Sequence, residues 1–168
     1  MKKKKIPKIG NKLIVIKNAD KDSGNWQENW RKPKDRQPAH IPHPFRLLSL
    51  GIPGRGKTNM IKNVFLQHQS NSKPFKKLYI VCCDLDSQEY VDLEPTETMV
   101  ELPDPEEFDG EDKTMLIIDD YNHERSSVDE KRKLSTLMRY VSTHKNVSVA
   151  VGYQSFFCCS AICRKTAN

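Results

Sequence analysis

The 168-residue sequence predicts an α/β domain built on a mostly parallel sheet flanked by helices. Three observations predict it. Apolar runs of strand length alternate with segments of helical periodicity from Phe45 onward. A glycine-rich loop, Gly51-Ile52-Pro53-Gly54-Arg55-Gly56-Lys57-Thr58, separates the first such run from the first helical segment. Further on, an apolar run ends in two carboxylates, Asp119 and Asp120. Strands alternating with helices pair in parallel through right-handed crossovers. A ligand of such a sheet sits at the carboxyl ends of its strands.

Taken in order, residues 1–44 read as a basic, proline-containing arm, with Lys12–Ile16 as one short β-branched strand within it. The domain proper occupies residues 45–168. Arg46–Leu50 is a buried strand. Thr58–His68 is a helix, because Met60, Ile61, Val64, Phe65 and His68 recur at spacings of three and four. Lys77–Cys83 is a second strand, continuous in apolar character as a strand buried on both faces should be. The acidic stretch 84–113 carries prolines at 95, 103 and 105 and reads as loop with one short helix. Thr114–Ile118 is the third strand. Val128–His144 is a helix whose apolar stripe is Leu134, Leu137, Met138 and Val141. Asn146–Gln154 is the fourth strand.

Composition narrows the functions open to this chain. No apolar run approaches the roughly 18–20 residues of a membrane-spanning helix. The lysine-rich start lacks the apolar stretch of a signal peptide, so no export is expected. Five cysteines, with two adjacent pairs and no C-x-x-C, suit reduced thiols better than a disulfide framework or a tetrahedral zinc site.

The net charge of +6 is unevenly spread. Residues 84–130 hold 18 of the 22 acidic side chains, and residues 41–83 and 131–168 hold none. A chain so polarised suits an anionic partner on one surface, nucleotide and nucleic acid first among them. Taken alone, the charge blocks also fit ordinary solvated faces.

The glycine-rich loop has the form G-x-x-x-x-G-K-[ST]. Its glycines let successive N–H groups turn inward onto phosphate oxygens, Lys57 reaches the β- and γ-phosphates, and the Thr58 hydroxyl can bind Mg²⁺. The helix N-terminus behind it adds partial positive charge. Asp119 then falls where a nucleotide-bound Mg²⁺ would lie, and Asp120 is a candidate general base for an attacking water. Acids at strand ends also serve as helix caps and turn formers. Gln154, at the end of the fourth strand, carries a donor and an acceptor suited to a water and a γ-phosphate. The bland alternative is a solvent-facing amide. Arg164 has no acid nearby in sequence. It is either a surface arginine or one supplied to a neighbour's phosphate.

This ordered set resembles one lineage: Pro44-Phe45, the loop through Asn59, the strand ending in Asp119-Asp120, His144 before Ser148, then Gln154 and Arg164. It is similar to the genome-packaging ATPases of large double-stranded DNA viruses, the poxvirus type included, within the FtsK/HerA superfamily of P-loop NTPases. The resemblance runs from about Phe45 to Asn168. It implies a RecA-like (ASCE) fold in which the Gln154 strand lies between the phosphate-loop strand and the Asp-Asp strand.

The resemblance also implies ATP and Mg²⁺ as cofactors, with residues 51–59 on the nucleotide and Thr58 and Asp119 on the metal. Asp120, Gln154 and Arg164 would be catalytic. The implied partners are double-stranded DNA, further copies of the chain in a ring, usually a hexamer, and capsid components. The implied location is the host-cell cytoplasm or the virion. Members of the lineage continue with further core elements beyond the point matching Asn168, so a shortened C-terminus is expected. The proline that members carry before the terminal arginine is replaced by Ser160-Ala161-Ile162-Cys163.

Two other readings stay open. A P-loop kinase would need an arginine-rich lid, and the acidic stretch between the second and third strands contains none. A nucleotide-binding assembly module without hydrolysis would need only the loop.

Overall fold

In the computed structural model, five parallel strands form one sheet in the order β1-β5-β4-β2-β3. The strands are β1 (Arg46–Leu50), β2 (Lys77–Val81), β3 (Glu97–Met99), β4 (Thr114–Ile118) and β5 (Val147–Tyr153). Residues 41–70, 73–83, 85, 89–120 and 126–167 are described. Residues 1–40, including the expected Lys12–Ile16 strand, lie outside them. The described residues belong to one compact unit, Ile41–Asn168.

Burial on both faces explains the sheet. Every residue of β4 and β5 is buried, and alternate side chains serve opposite layers. Met115 and Ile117 point to one layer, where Ile61 and Phe65 of α1 (Lys57–Gln69) meet Phe45 and Phe75. Leu116 and Ile118 point to the other layer, against Leu134, Leu137, Met138 and Val141. Those four residues come from α2 (Val128–Thr136) and the π-helical stretch Leu137–Val141 that joins it to α3 (Ser142–His144). The last helix, α4 (Ala161–Thr166), adds Cys163 to the same layer.

At the amino edge of the sheet, the chain entering β1 is tied down by a buried polar cluster. The His43 ring lies 2.6 Å from the Ser148 hydroxyl and 2.8 Å from the Asn146 side-chain oxygen. The same hydroxyl accepts from the Phe45 N–H at 3.1 Å.

The four strands and two longer helices that the sequence predicts are present, and β5 lies between β1 and β4 as expected. Four details differ. A closing helix, α4, forms where none is expected. β2 ends at Val81 rather than Cys83, although the Cys82 N–H still reaches Met99 O. The acidic stretch holds an edge strand, β3, and two 3₁₀ turns, Val91–Leu93 and Pro105–Glu107, in place of a single short helix. A three-residue strand paired on one side only is too short to leave a periodic signal. The expected helix 128–144 forms, but its middle opens into π geometry over Leu137–Val141, where Leu137, Met138 and Val141 are fully buried.

Candidate nucleotide-binding site

The loop after β1 turns on two glycines in the left-handed region, Gly54 at φ 74° and Gly56 at φ 80°. A side chain at either would cost roughly 1–2 kcal/mol. Gly56 is also the N-cap of α1. It supplies no side-chain acceptor, and the first turn of the helix contains no acid. The free N–H groups and the positive end of the helix therefore face the loop unneutralised. A cavity of about 280 Å³ opens there, lined by Gly54, Gly56, Lys57, Thr58, Asn59, Lys62 and Glu89.

The ends of three strands, β1, β5 and β4, converge at this loop. The β1–β5 ladder is extended by a 3.1 Å bond from Gly51 N to Tyr153 O, which holds the loop against β5. Lys57, nearly buried, places Nζ 4.0 Å from Oδ1 of Asp120. The Thr58 hydroxyl donates to Oδ2 of Asp119 at 3.0 Å. Gln154 Nε2 donates to Oδ2 of Asp120 at 3.3 Å. Asp120 itself sits at φ 52°, a left-handed conformation seldom adopted by a side-chain-bearing residue, and its carboxylate is 48% exposed.

Asp119 and Asp120 are thus adjacent but differently held. Asp119 is buried, its N–H bonded to Val81 O, and its Oδ1 accepts from the Asp120 N–H at 3.1 Å. Asp120 faces the open side.

Among the predicted residues, Lys57, Thr58, Asp119, Asp120 and Gln154 form one connected group. Gly51, Gly54, Gly56 and Asn59 shape the loop around it. Ile52, Pro53 and Arg55 are exposed on its outer turn. Arg164 lies elsewhere. From α4, its Nη1 donates to the carbonyls of Phe156 at 3.0 Å and Cys159 at 2.8 Å, and the guanidinium stacks 4.8 Å over the Phe156 ring. It braces the loop that follows Gln154.

Two contributors escape the sequence reading. A Cβ on Gly152 would lie 2.2 Å from Oδ1 of Asp119, so glycine is what lets the carboxylate fit beside β5. A glycine inside a strand signals such a close approach. Tyr90 donates its buried hydroxyl to Oδ2 of Asp119 at 2.5 Å. Burial first, and the Asp119 charge second, hold the phenol far above its usual range, so it remains a donor. Nothing in its sequence context marks it.

The donor set suits Mg²⁺. A hydroxyl whose O–H donates a hydrogen bond still offers its oxygen lone pairs, and the Thr58 O–H donates to Asp119. Among the described residues no three His, Cys, Asp or Glu side chains gather into a cage. Mg²⁺ needs none, since it keeps several waters and takes one or two protein ligands.

No protein-family model matches the chain, and no curated protein matches it either. Among solved structures, the chain is similar to the genome packaging NTPase B204 from Sulfolobus turreted icosahedral virus 2, solved in complex with ATP-gammaS. The TM-score is 0.53 at 15% identity, covering 75% of this chain and 74% of that one. The fold is that of an α/β P-loop NTPase of the RecA-like kind.

Proposed function

We propose that this chain is an ATP-hydrolysing motor that moves double-stranded viral DNA into capsids, of the poxvirus-type FtsK/HerA lineage. The observation that carries the reading is the joining of Thr58 to Asp119, and of Lys57 and Gln154 to Asp120, at the ends of three neighbouring strands. The likeness to a packaging NTPase in complex with ATP-gammaS supports the same class.

In this reading the loop N–H groups and Lys57 bind the ATP phosphates. Thr58 and Asp119 would hold Mg²⁺, which supplies charge neutralisation on the phosphate oxygens. Asp120 orients the attacking water and takes up its proton, which its exposed position allows. Gln154, already bonded to Asp120, sits between the water and the γ-phosphate. Arg164 acts on the nucleotide of a neighbouring copy in a ring, usually a hexamer. To do so its guanidinium must leave the carbonyls of Phe156 and Cys159.

The basic arm 1–44 neutralises DNA phosphates, giving binding that weakens steeply with salt. Capsid components are the further partners, and the host-cell cytoplasm or virion the location. Among the described residues Glu89 lines the cavity and no arginine does, which weighs against a kinase lid.

The test is ATP turnover by the purified chain, with and without double-stranded DNA, beside Lys57→Ala. DNA-stimulated turnover that falls by at least about 10²-fold in the variant is expected, the scale for losing one electrostatic stabiliser. Turnover that survives in Lys57→Ala overturns the assignment of the site. Turnover indifferent to DNA overturns the motor.

A further inference from the structure

The buried Tyr90 belongs to none of the motifs above, yet it touches the carboxylate on which the metal site depends. We propose that Tyr90 is a positioning residue for Asp119, held to it by the segment 89–92, which Lys62 anchors. The proposal rests on the nucleotide-site reading above and adds to it a residue outside every motif of the sequence.

The argument begins with the acceptor capacity of the carboxylate, about four lone-pair sites. Oδ2 accepts two hydroxyls, Thr58 at 3.0 Å and Tyr90 at 2.5 Å. Oδ1 accepts the Asp120 N–H at 3.1 Å and abuts Gly152. Without Tyr90 the remaining bonds, one to each oxygen, leave the carboxylate free to pivot toward the space the phenol occupied. With Tyr90 the plane is fixed from three directions, by α1, by its own strand and by the segment after β2. Rigid orientation of a metal's carboxylate by hydrogen bonding is what outer partners of metal sites supply.

The segment carrying Tyr90 is itself anchored. Lys62, one turn along α1 from Thr58, donates to Glu89 O at 2.6 Å and to Asp92 at 2.7 Å. Lys62 and Glu89 also line the cavity at the phosphate loop. The same helix therefore presents Thr58 to the carboxylate directly and Tyr90 to it through Lys62. A phenylalanine at position 90 would fill the apolar pocket beside Phe65 and Leu93 equally well, so packing does not account for the hydroxyl.

The test is binding of a fluorescent ATP analogue to the full chain, in EDTA and across a MgCl₂ titration, comparing wild type with Tyr90→Phe. For Tyr90→Phe, affinity in EDTA should be unchanged. The Mg²⁺ concentration that gives half the affinity gain should rise about 10–100-fold, the usual effect of removing an outer partner. Should Tyr90→Phe fail to fold, Lys62→Met replaces it. That variant releases the segment and keeps the phenol, and its ratio of affinities with and without Mg²⁺ should fall.

An unchanged Mg²⁺ dependence in a folded variant overturns the role of Tyr90 and leaves the nucleotide site standing. A wild-type chain that binds the analogue without any gain from Mg²⁺ overturns the metal site and the proposal with it.

Discussion

Helices α1 and α2 each follow a strand of the same parallel sheet, and their N-termini are built in opposite ways. α2 is closed by its own side chains. Ser127 accepts from Glu130 N at 3.1 Å, Glu130 accepts from Ser127 N at 2.7 Å, and Asp129 adds a second acid to the first turn. This capping box satisfies the orphan donors and offsets the helix dipole. α1 has a glycine cap, no side-chain acceptor and no acid in its first turn. The difference teaches where a ligand belongs. A helix end that its own sequence completes has no use for an anion, whereas one left incomplete beside a cavity needs one.

The comparison can be broken most forcefully by removing the space beside the open end. Gly152→Ala places a Cβ 2.2 Å from Asp119 Oδ1, closer than real contacts allow. Overpacking of this kind costs about 1–3 kcal/mol, and here it is expected to displace the carboxylate. Chemical denaturation should show the loss of stability, and the Mg²⁺-dependent part of nucleotide affinity should vanish. A variant that keeps both would mean that Asp119 does not set the site.

A middle-sized effect is expected from giving α1 the cap of α2. Gly56→Ser puts a side chain at φ 80°, at a cost of about 1–2 kcal/mol. It also supplies an acceptor that competes for the N–H groups. Nucleotide affinity should fall about tenfold, the equivalent of roughly 1.4 kcal/mol. Equal affinity in the variant would remove the contrast between the two ends.

The smallest effect is the converse. Ser127→Ala should lower unfolding free energy by about 1 kcal/mol and leave nucleotide affinity unchanged. This stabilisation has a pH signature. Hydrogen bonds from the Ser127 backbone, then from its side chain, hold the Glu130 carboxyl below its usual 4.5. A carboxyl depressed in the folded state stabilises above that value and loses the effect as pH falls through its folded pKa. The backbone donor survives in Ser127→Ala. Only the share of the gap that the Ser127 side chain gives the Glu130 carboxylate should therefore be lost below about pH 4.5.

The contrast between the helix ends was partly legible in the sequence. Gly51, Gly56, Lys57 and Thr58 sit in the spacing of a phosphate loop, and the apolar runs before Asp119 and Gln154 state where their strands stop. These are local signals, carried by neighbours in the chain. Tyr90 was not legible, because it meets Asp119 through a side-chain contact spanning 29 residues from within a stretch of no periodicity. β3 was hidden for a related reason, since among the described residues Glu97–Met99 pairs with β2 alone, and it mixes exposed and half-buried residues. The π-helical stretch keeps the spacing of Leu137, Met138 and Val141 that a plain helix would show, so the pattern could not reveal it. Gly152 was visible as a glycine in a strand, but its partner was not.

The position of β5 between β1 and β4 has a consequence for how the molecule is made. Among the described strands β1 pairs only with β5, Arg46 opposite Val149 and Leu50 opposite Tyr153. During synthesis, therefore, the strand that carries the phosphate loop waits for about 100 further residues, some 5–20 s at ordinary elongation rates, before its partner emerges. Until then Leu47 and Leu48 lack the strand they pair with among the described residues, and Lys57 lies apart from Gln154. When β5 slots into place it completes the ladder on both sides and brings Gln154 to Asp120 in the same event. Nascent chains halted before Val147 would carry the loop but lack both its anchor at Tyr153 and Gln154.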